Sequence, residues 1–515
     1  EKIIGDPFEL VGMKKAVARI ERALKKSEKI VVYGDYDIDG LSASTLLYDA
    51  LSKMGNTPQL YIPDRFEEGY GLNSAAIEKI KKGGADLILS VDCGVSAHTQ
   101  ASLAKKIGMD LIITDHHEPD GAAPSGAIAT INPKLQKDSM FKDLAGVGVA
   151  FYLALALQRK TGLLKKGQEK WLLDMVALGT VCDVVPMTGL NRGLTKFGLV
   201  VLQKSQRPGI LALMRAASID QAKISESDLG FKIGPRLNAA GRLAHAKKAL
   251  DLLTATDQEK AEEIAFELNE LNHLRQQATK QIFEEADRQA KQFGNDPILV
   301  LHSPDWSHGV VGIVASRIAE KWHKPVILMQ EIKDYAKGSA RSFGTFNIVE
   351  AIRSCAQMLD SYGGHAFAAG VKIKHELIKE FRYRLNEYAL TNMQADNNLK
   401  VLEISLNVPA ELSSLELYDS LNQLSPYGNS NPRPVCVSQF RLDEVRMVGS
   451  DGAHLKLVLS DTQGARHDAI GFGMGQKFAK LQPQSNVRIA YSIGENLWNN
   501  NRKHQIELID IKPVE

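Results

Sequence analysis

Cysteine is nearly absent. Four thiols (Cys93, Cys182, Cys355 and Cys436) are scattered over 515 residues. With no C-x-x-C pair and no regular spacing, they exclude a disulfide-stapled scaffold and point to a reducing compartment. Long apolar runs are lacking too: a stretch such as Phe151–Leu157 falls far short of the ~18 residues a membrane span needs. The start, EKIIGDPFEL, carries no visible signal peptide and does not begin with Met, so a trimmed N-terminus and a cytoplasmic protein without a membrane are expected. Excess charge is also missing, since Lys+Arg 63 against Asp+Glu 61 leaves only +2. That excludes a chain held to nucleic acid by net charge alone; an anionic partner has to be met by local patches. What is present, 44% hydrophobic and 24% charged residues, is ordinary globular material. At roughly 100–200 residues per domain, the length suits about three or four domains.

Up to residue 190, short β-rich runs alternate with helical stretches. Ile30–Tyr33 ends at Gly34, Gln59–Ile62 at Pro63, Leu87–Val91 at Asp92, and Leu111–Thr114 at Asp115. Leu41–Met54 and Ser74–Lys82 lie between them, as in the βαβ units of a buried parallel sheet. Helical patterns dominate to about Gly241, and Asp257–Phe293 contains no Pro or Gly. Its length reads as a connector helix between two lobes. A second α/β segment follows, with strands Ile298–Leu301 and Val326–Met329, helix Val310–Lys321, and helices after Asn347 and His375. From about Asn397 the pattern is strands and turns without regular helices (Val401–Val408, Val435–Phe440, Leu455–Leu459, Ala469–Phe472, Val487–Tyr491, Gln505–Ile511), suggesting a small barrel. The expected domains are 1–190, its helical extension 191–256, the connector 257–294, a second α/β lobe 295–396 and a barrel 397–515.

The strongest local signal is Gly34-Asp35-Tyr36-Asp37-Ile38-Asp39-Gly40, directly after the first strand. Alternating carboxylates repel one another unless cations neutralise them. An EF-hand is disfavoured, because the loop leaves a strand and Leu46 stands where the Glu at the twelfth position belongs. In an open parallel sheet, residues just past the strand ends converge on one crevice. Asp37, Asp39, Asp92, His116 and His117 are thus aimed at one place, and Asp183, after a helix at Trp171–Gly179, closes the cluster from one side. Such a gathering points to two divalent metals. Mixed carboxylate and imidazole ligands favour Mn²⁺ or Mg²⁺ over zinc, since Cys93 and Cys182 adjoin ligand candidates but point elsewhere. A pair of such ions activates water for in-line displacement at phosphorus.

The GDYDIDG loop, Asp92, the Asp115-His116-His117 triplet and Asp183 resemble the DHH phosphoesterases, and the order of motifs is specific. PDRFEEGYGL (Pro63–Leu72), GPRLNAAGRL (Gly234–Leu243), SHGVVGIVASRIAE (Ser307–Glu320), GSARS (Gly338–Ser342) and GGHAFAAG (Gly363–Gly370) narrow this to a resemblance with the RecJ family of single-strand-specific 5′→3′ exonucleases. The resemblance implies a parallel-sheet catalytic lobe, a long helix, a second α/β lobe and an OB-like barrel. It also implies release of 5′ mononucleotides from single-stranded DNA in repair and recombination, and a short leader before this start.

By resemblance, Asp37 and Asp92 hold one metal with Asp35 close by. Asp39, Asp92, His116 and Asp183 hold the other, Asp92 bridges, and His117 meets the scissile phosphate or the nucleophile. Tyr33 stands where related pyrophosphatases place a histidine, which leaves the first site short of a nitrogen. Ser339, Arg341 and Ser342 suit phosphate oxygens; with Arg65 they are candidates for gripping a 5′ phosphate, though GSARS reads equally as a polar turn. Gly364 and His365 lie in a segment that closes over nucleic acid in the family, with a glycine turn into a helix as the alternative. Arg236 and Arg242 either steady the backbone near the metals or serve structure. Phe472, Tyr491 and Trp498 are either stacking platforms or core, in a tail with 12 Lys+Arg against 13 Asp+Glu. A single-strand-binding protein, a helicase and a monomeric state are expected by resemblance alone. Two other functions suit the same residues: a phosphodiesterase for short oligonucleotides or cyclic dinucleotides, and an inactive strand-binding scaffold.

Overall fold

A computed structural model describes residues 4–65, 67–393, 401–449, 452–475, 477–478, 481–498 and 501–514, with the side chains of 497 and 498 left out. Two compact units emerge, one of Glu1–Val185 with Gly189–Lys400, the other of Pro186–Thr188 with Val401–Glu515. The expected boundary at 396/397 lies outside the described residues.

In the first unit, β1 (Ile30–Gly34), β2 (Gln59–Tyr61), β3 (Leu87–Val91), β4 (Asp110–Thr114) and β5 (Ala129–Ile131) form an all-parallel sheet in the order β2-β1-β3-β4-β5. β1 and β3 are buried along their whole length, as continuous Ile/Val/Leu runs demand when helices cover both faces. Ile30, Val32, Leu87 and Leu89 pack against helices α1 (Met13–Lys26), α2 (Ile38–Lys53) and the later α5 (Gly146–Thr161). Val31, Tyr33, Ile88 and Ile113 pack on the other face against α3 (Ser74–Lys82) and α4 (His98–Lys106). Strand order reverses between β1 and β3, the switch point at which such sheets open a crevice.

Register then aligns the strand ends. Gly34 pairs with Val91 and Val91 with Thr114, so the residues that follow, Asp35, Asp92 and Asp115, leave the sheet side by side. Tyr33 belongs to the core and not to the crevice. Its hydroxyl donates to Gly71 O at 2.9 Å and accepts from Asn73 Nδ2 at 3.2 Å, which pins the loop before α3.

The Pro- and Gly-free run forms one 35-residue helix, Gln258–Gln292, with Asp257 as N-cap. At 1.5 Å per residue it is about 50 Å long. Ala261, Ala265 and Leu268 enter the core of the first sheet's helical side, whereas Ile282, Ala286 and Ala290 enter that of the second sheet. This sheet comprises β6 (Leu299–Ser303), β7 (Val326–Ile332), β8 (Tyr335–Arg341), β9 (Leu359–His365) and β10 (Ala368–Lys374), in the order β6-β7-β8-β10-β9. The GSARS segment is largely strand β8. GGHAFAAG is a β9–β10 hairpin, which corrects the alternative of a turn into a helix: alternating burial along β10 favours the strand. The last expected helix of the lobe covers Ile378–Asn392.

The second unit contains a closed barrel. β11 (Leu406–Asn407), β12 (Cys436–Val448), β13 (His454–Ser460), β14 (Arg466–Gly471), β15 (Asn486–Trp498) and β16 (Asn501–Pro513) run in the order β11-β12-β13-β14-β16-β15, and β12 also pairs with β15. The expectation of a helix-free tail is corrected, because Leu415–Asn422 is a helix capped by Ser414. Tyr491 is fully buried, and its hydroxyl lies 2.6 Å from Ser413 Oγ and 2.9 Å from Ser438 Oγ. It is core and not a stacking platform. Phe472 is exposed; the side chain of Trp498 lies outside the described residues.

Candidate active site

The acidic loop turns straight from β1 into α2. Asp37 is the N-cap, its Oδ1 accepting from Gly40 N at 3.1 Å, and Asp39 lies buried in the first turn. Both therefore stand at the positive end of a helix. Asp39 is further held from α5, whose Gly146 N and Val147 N donate to its two oxygens at 2.6 and 2.9 Å. Asp92 has φ +60°, an uncommon conformation for a non-glycine residue. Asp183 caps the C-terminus of α6 (Leu173–Cys182). That helix begins and ends later than the Trp171–Gly179 read from sequence, and a carboxylate at its negative end is unfavourable without a cation.

These groups meet. His116 Nε2 lies 3.2 Å from Asp92 Oδ1, 3.5 Å from Asp183 Oδ2 and 3.8 Å from Asp39 Oδ2. Potential ligand atoms fall within 4.8 Å of one another in three local sets: Asp35/Asp37/Asp92, Asp39/His116/Asp183, and Asp92/His116/His117. The first is all oxygen, in keeping with Tyr33 lying in the core.

Electrostatics favour cations here. Burial, then the neighbouring Asp37 carboxylate, pushes Asp35 up to about 8 and Asp183 up to about 7. Burial again comes first for Asp39 and Asp92, raised further chiefly by Asp183 and by Asp39, respectively. Burial and then His117 hold His116 down to about 3, which leaves a neutral imidazole with its lone pair free. Asp35 Oδ1, Asp92 Oδ1, His116 Nε2 and Asp183 Oδ2 are all buried without a hydrogen-bond partner among the described residues. Buried polar atoms are otherwise almost always paired, so the unpaired atoms and the donor set fit a pair of divalent metals.

Asp115 differs from the other acids. Its Oδ2 accepts from Val95 N at 2.8 Å; its Oδ1 accepts from His116 N at 2.7 Å and lies 2.8 Å from His117 Nδ1. With those contacts it orients the two histidines. Burial opposes charge on His117, but the Asp115 contact outweighs it and raises the pKa. Tyr70, not singled out in the sequence, holds its hydroxyl 3.2 and 3.3 Å from the two His117 ring nitrogens.

Two glycines make room for this packing. A Cβ on Gly146 would sit 2.6 Å from Asp92 Oδ1, and one on Gly179, inside α6, 2.7 Å from both Asp39 Oδ1 and Val147 Cγ1. Gly→Ala within an exposed helix gains about 1 kcal/mol. Gly179→Ala is expected to do the reverse where it matters, weakening Mn²⁺ binding roughly 10–100-fold by displacing a ligand, as isothermal calorimetry would measure.

Beside the acids is a cavity of about 200 Å³ lined by Asp37, Asp39, Asp183, Arg65, Asn238 and Arg242, among others. Arg65 lies over the Tyr36 ring at 5.2 Å. Burial, then the guanidinium groups of Arg65, Arg275 and Arg341, holds Arg242 down to about 10. The hydrogen bonds of Arg242 and Arg341 go to backbone carbonyls, Gly309 O at 3.1 Å and Ala340 O at 2.8 Å. Among the described residues none of these crowded guanidinium groups forms an ion pair with a carboxylate, although acids line the same cavity, and such cations are a seat for an anion. Ser339 and Arg341 share the β8 face toward helix His308–Trp322, where a Cβ on Gly312 would lie 3.2 Å from Ser339 Oγ and from Arg341 Nη2. His308, quoted within a motif but given no role, belongs to this region. Burial, then Lys337 and Arg65, holds it down to about 4.

Three further candidates make contacts within the scaffold. Arg236 donates to Asn269 Oδ1 at 3.0 Å and Lys232 O at 2.8 Å. The Ser342 hydroxyl, just past the end of β8, donates to Phe346 O. Gly364 has φ +147°, and a Cβ there would strike Ala368 O at 2.3 Å, so the hairpin itself requires the glycine. His365 is exposed at the end of β9.

Comparison with known proteins agrees with this architecture. Residues 29–180 match the DHH family N-terminal domain, 295–391 the DHHA1 domain and 404–510 the RecJ OB domain. The single-stranded-DNA-specific exonuclease RecJ of Bacillus subtilis (strain 168) is 39% identical over 98% of this chain, which spans 64% of that relative's length. RecJ of Escherichia coli (strain K12) is 37% identical, with 98% of this chain and 91% of the relative covered. The crystal structure of RecJ in complex with Mn²⁺ from Thermus thermophilus superposes with a TM-score of 0.85 at 32% identity, covering 98% of this chain and 72% of that one. With 37% identity across nearly the whole of both chains in the Escherichia coli comparison, the chain belongs to the RecJ family of single-stranded-DNA-specific exonucleases.

Proposed function

We propose that this chain is a metal-dependent 5′→3′ exonuclease that degrades single-stranded DNA to 5′ mononucleotides, in DNA repair and recombination. The observation that carries this reading is the convergence of buried carboxylate and imidazole atoms, without hydrogen-bond partners among the described residues, beside a cluster of arginines that forms no ion pair with them there. Asp35, Asp37 and Asp92 would hold one Mn²⁺ or Mg²⁺ ion and Asp39, Asp92, His116 and Asp183 the other. When bound, such a pair supplies Lewis acidity and an activated water for displacement at phosphorus. The chain's own residues do the rest. His116, neutral, offers a nitrogen lone pair; Asp115 fixes the ring and proton of His117; and His117 Nε2, with the Tyr70 hydroxyl beside it, meets the scissile phosphate, the nucleophile or the leaving oxygen. Arg65, Arg242 and Arg341 bind phosphates, with Ser339 beside them. His365 and the hairpin bearing it contact the strand, and the barrel holds single-stranded DNA by stacking and cationic contacts. Delivery by a single-strand-binding protein or a helicase, and action as a monomer, complete the proposal.

The test is end-labelled single- and double-stranded DNA, a cyclic dinucleotide and pyrophosphate, each offered with Mn²⁺. Rapid release of labelled mononucleotide from the 5′ end of the single strand is expected. Preferential turnover of the cyclic dinucleotide would reject the proposal in favour of a small-substrate phosphodiesterase. Arg341→Ala is expected to cut the preference for 5′-phosphorylated over 5′-hydroxyl substrate roughly 10-fold or more, the value of a charge-assisted contact; equal losses on both substrates would remove Arg341 from end recognition.

A further inference from the structure

A second group of metal-ligating side chains lies away from the acidic crevice. His302 is in β6, Glu331 in β7, and His375 follows β10 directly. His302 Nδ1 is 2.5 Å from Glu331 Oε1, and His375 Nε2 is 3.0 Å from Glu331 Oε2. The three potential ligand atoms lie within 4.8 Å of one another. The two rings stand nearly perpendicular, at 89° with centroids 6.2 Å apart, and thus approach the carboxylate from different sides. The sheet's alternation separates this group from the proposed substrate groove. His302 and Glu331 share the β6 and β7 face of Val300, Ile327 and Met329, whose core includes helix Ile378–Asn392. Ser339 and Arg341 point from the opposite face. The His375 side chain is 50% exposed, so an ion can enter from solvent.

We infer that His302, Glu331 and His375 form a separate site for one Zn²⁺-class cation, which ties β6 and β7 to the segment entering the last helix of this lobe. The chemistry of the donors selects the ion. Two imidazoles and one carboxylate form a three-ligand set that zinc completes with water in a tetrahedron, whereas Mg²⁺ and Mn²⁺ prefer oxygen-rich sets such as the crevice acids. One ligand atom from each residue already lies within 4.8 Å of the others, against the roughly 3.3 Å edge of a tetrahedron with 2.0–2.1 Å bonds. Binding therefore asks the three side chains to draw in by an ångström or so around one carboxylate oxygen.

The experiment uses the full chain stripped with chelator and then given Zn²⁺ or Co²⁺ alone. Wild type is compared with His375→Ala and with Glu331→Gln, which preserves shape while removing charge. Each variant should retain one fewer equivalent of zinc per chain and lose part of the intense visible absorption of tetrahedral Co²⁺. Each should also keep its Mn²⁺-dependent cleavage of single-stranded DNA. Zinc should raise the melting temperature of wild type more than that of either variant. Equal zinc content in all three proteins, with unchanged Co²⁺ spectra, would overturn the inference and leave Glu331 as a carboxylate shared by two ring N–H donors.

Discussion

Asp92→Asn is expected to abolish cleavage and, at the same time, to make the metal-free protein harder to melt. Asp92 is the residue common to the all-oxygen set and to a histidine-containing set, so neutralising it disables both metals at once. Loss of a component shared by an entire catalytic unit costs roughly 10⁴-fold or more in turnover, read as mononucleotide released per minute at saturating Mn²⁺. The stability effect has the opposite sign. Burial and then Asp39 raise the Asp92 pKa, so above the unfolded carboxylate pKa this residue costs the metal-free fold stability, because the unfolded chain ionises more readily. That cost is small near the unfolded carboxylate pKa and grows as pH rises toward the raised folded value. Asparagine has no such charge, and removing one member of a crowded buried group should add on the order of 1–2 kcal/mol, or a few degrees in a metal-free thermal melt. Added Mn²⁺ should stabilise the wild type and leave the variant unmoved. A variant that melts earlier than wild type in chelator would show that Asp92 holds structure and does not store repulsion for a cation.

How far the sequence reveals this site depends on the element that carries each residue. Asp35, Asp92 and Asp115 end strands whose apolar runs are unmistakable, and parallel pairing of Gly34, Val91 and Thr114 aligns them. The crevice is therefore legible from periodicity alone. The role of Asp115 is not legible in that way: only coordinates show that its oxygens are taken by Val95 N and the two histidines. Gly146 and Gly179 carry no sequence signal, because a helix interior conceals which glycine faces a carboxylate on another element. Tyr70, Asn238 and His308 reach the site from loops and helices whose direction no spacing rule gives. In the second lobe the glycine-rich run misleads, since glycines suit a hairpin as readily as the approach to a helix. Tyr491 shows the same limit in the barrel, where an aromatic in a strand reads alike whether it faces solvent or the Ser413 and Ser438 hydroxyls.

Adjacent histidines at the end of β4 should fail in different ways, and the contrast separates ligand from proton handler. His116 stands among three carboxylates at 3.2–3.8 Å with a depressed pKa and, among the described residues, no hydrogen-bond partner for Nε2. His116→Ala should therefore raise the Mn²⁺ concentration needed for half-maximal rate, with much of the lost rate recovered at high metal. His117 instead leans on Asp115 at 2.8 Å and on the Tyr70 hydroxyl, an arrangement that favours a protonated ring. A positioned acid contributes typically 10²–10⁴-fold, so His117→Ala should lower kcat by about that factor with little change in Mn²⁺ affinity, and no excess of metal should restore it. Asp115→Asn should follow His117→Ala in direction with a smaller loss, because it removes the charge that holds the His117 proton and keeps a side chain of the same shape. It should also move the alkaline limb of the pH–rate profile to lower pH, since a ring without its carboxylate loses its proton sooner as pH rises. If His117→Ala regained its rate with added Mn²⁺, His117 would be a metal ligand and the assignment of proton transfer at this site would be wrong.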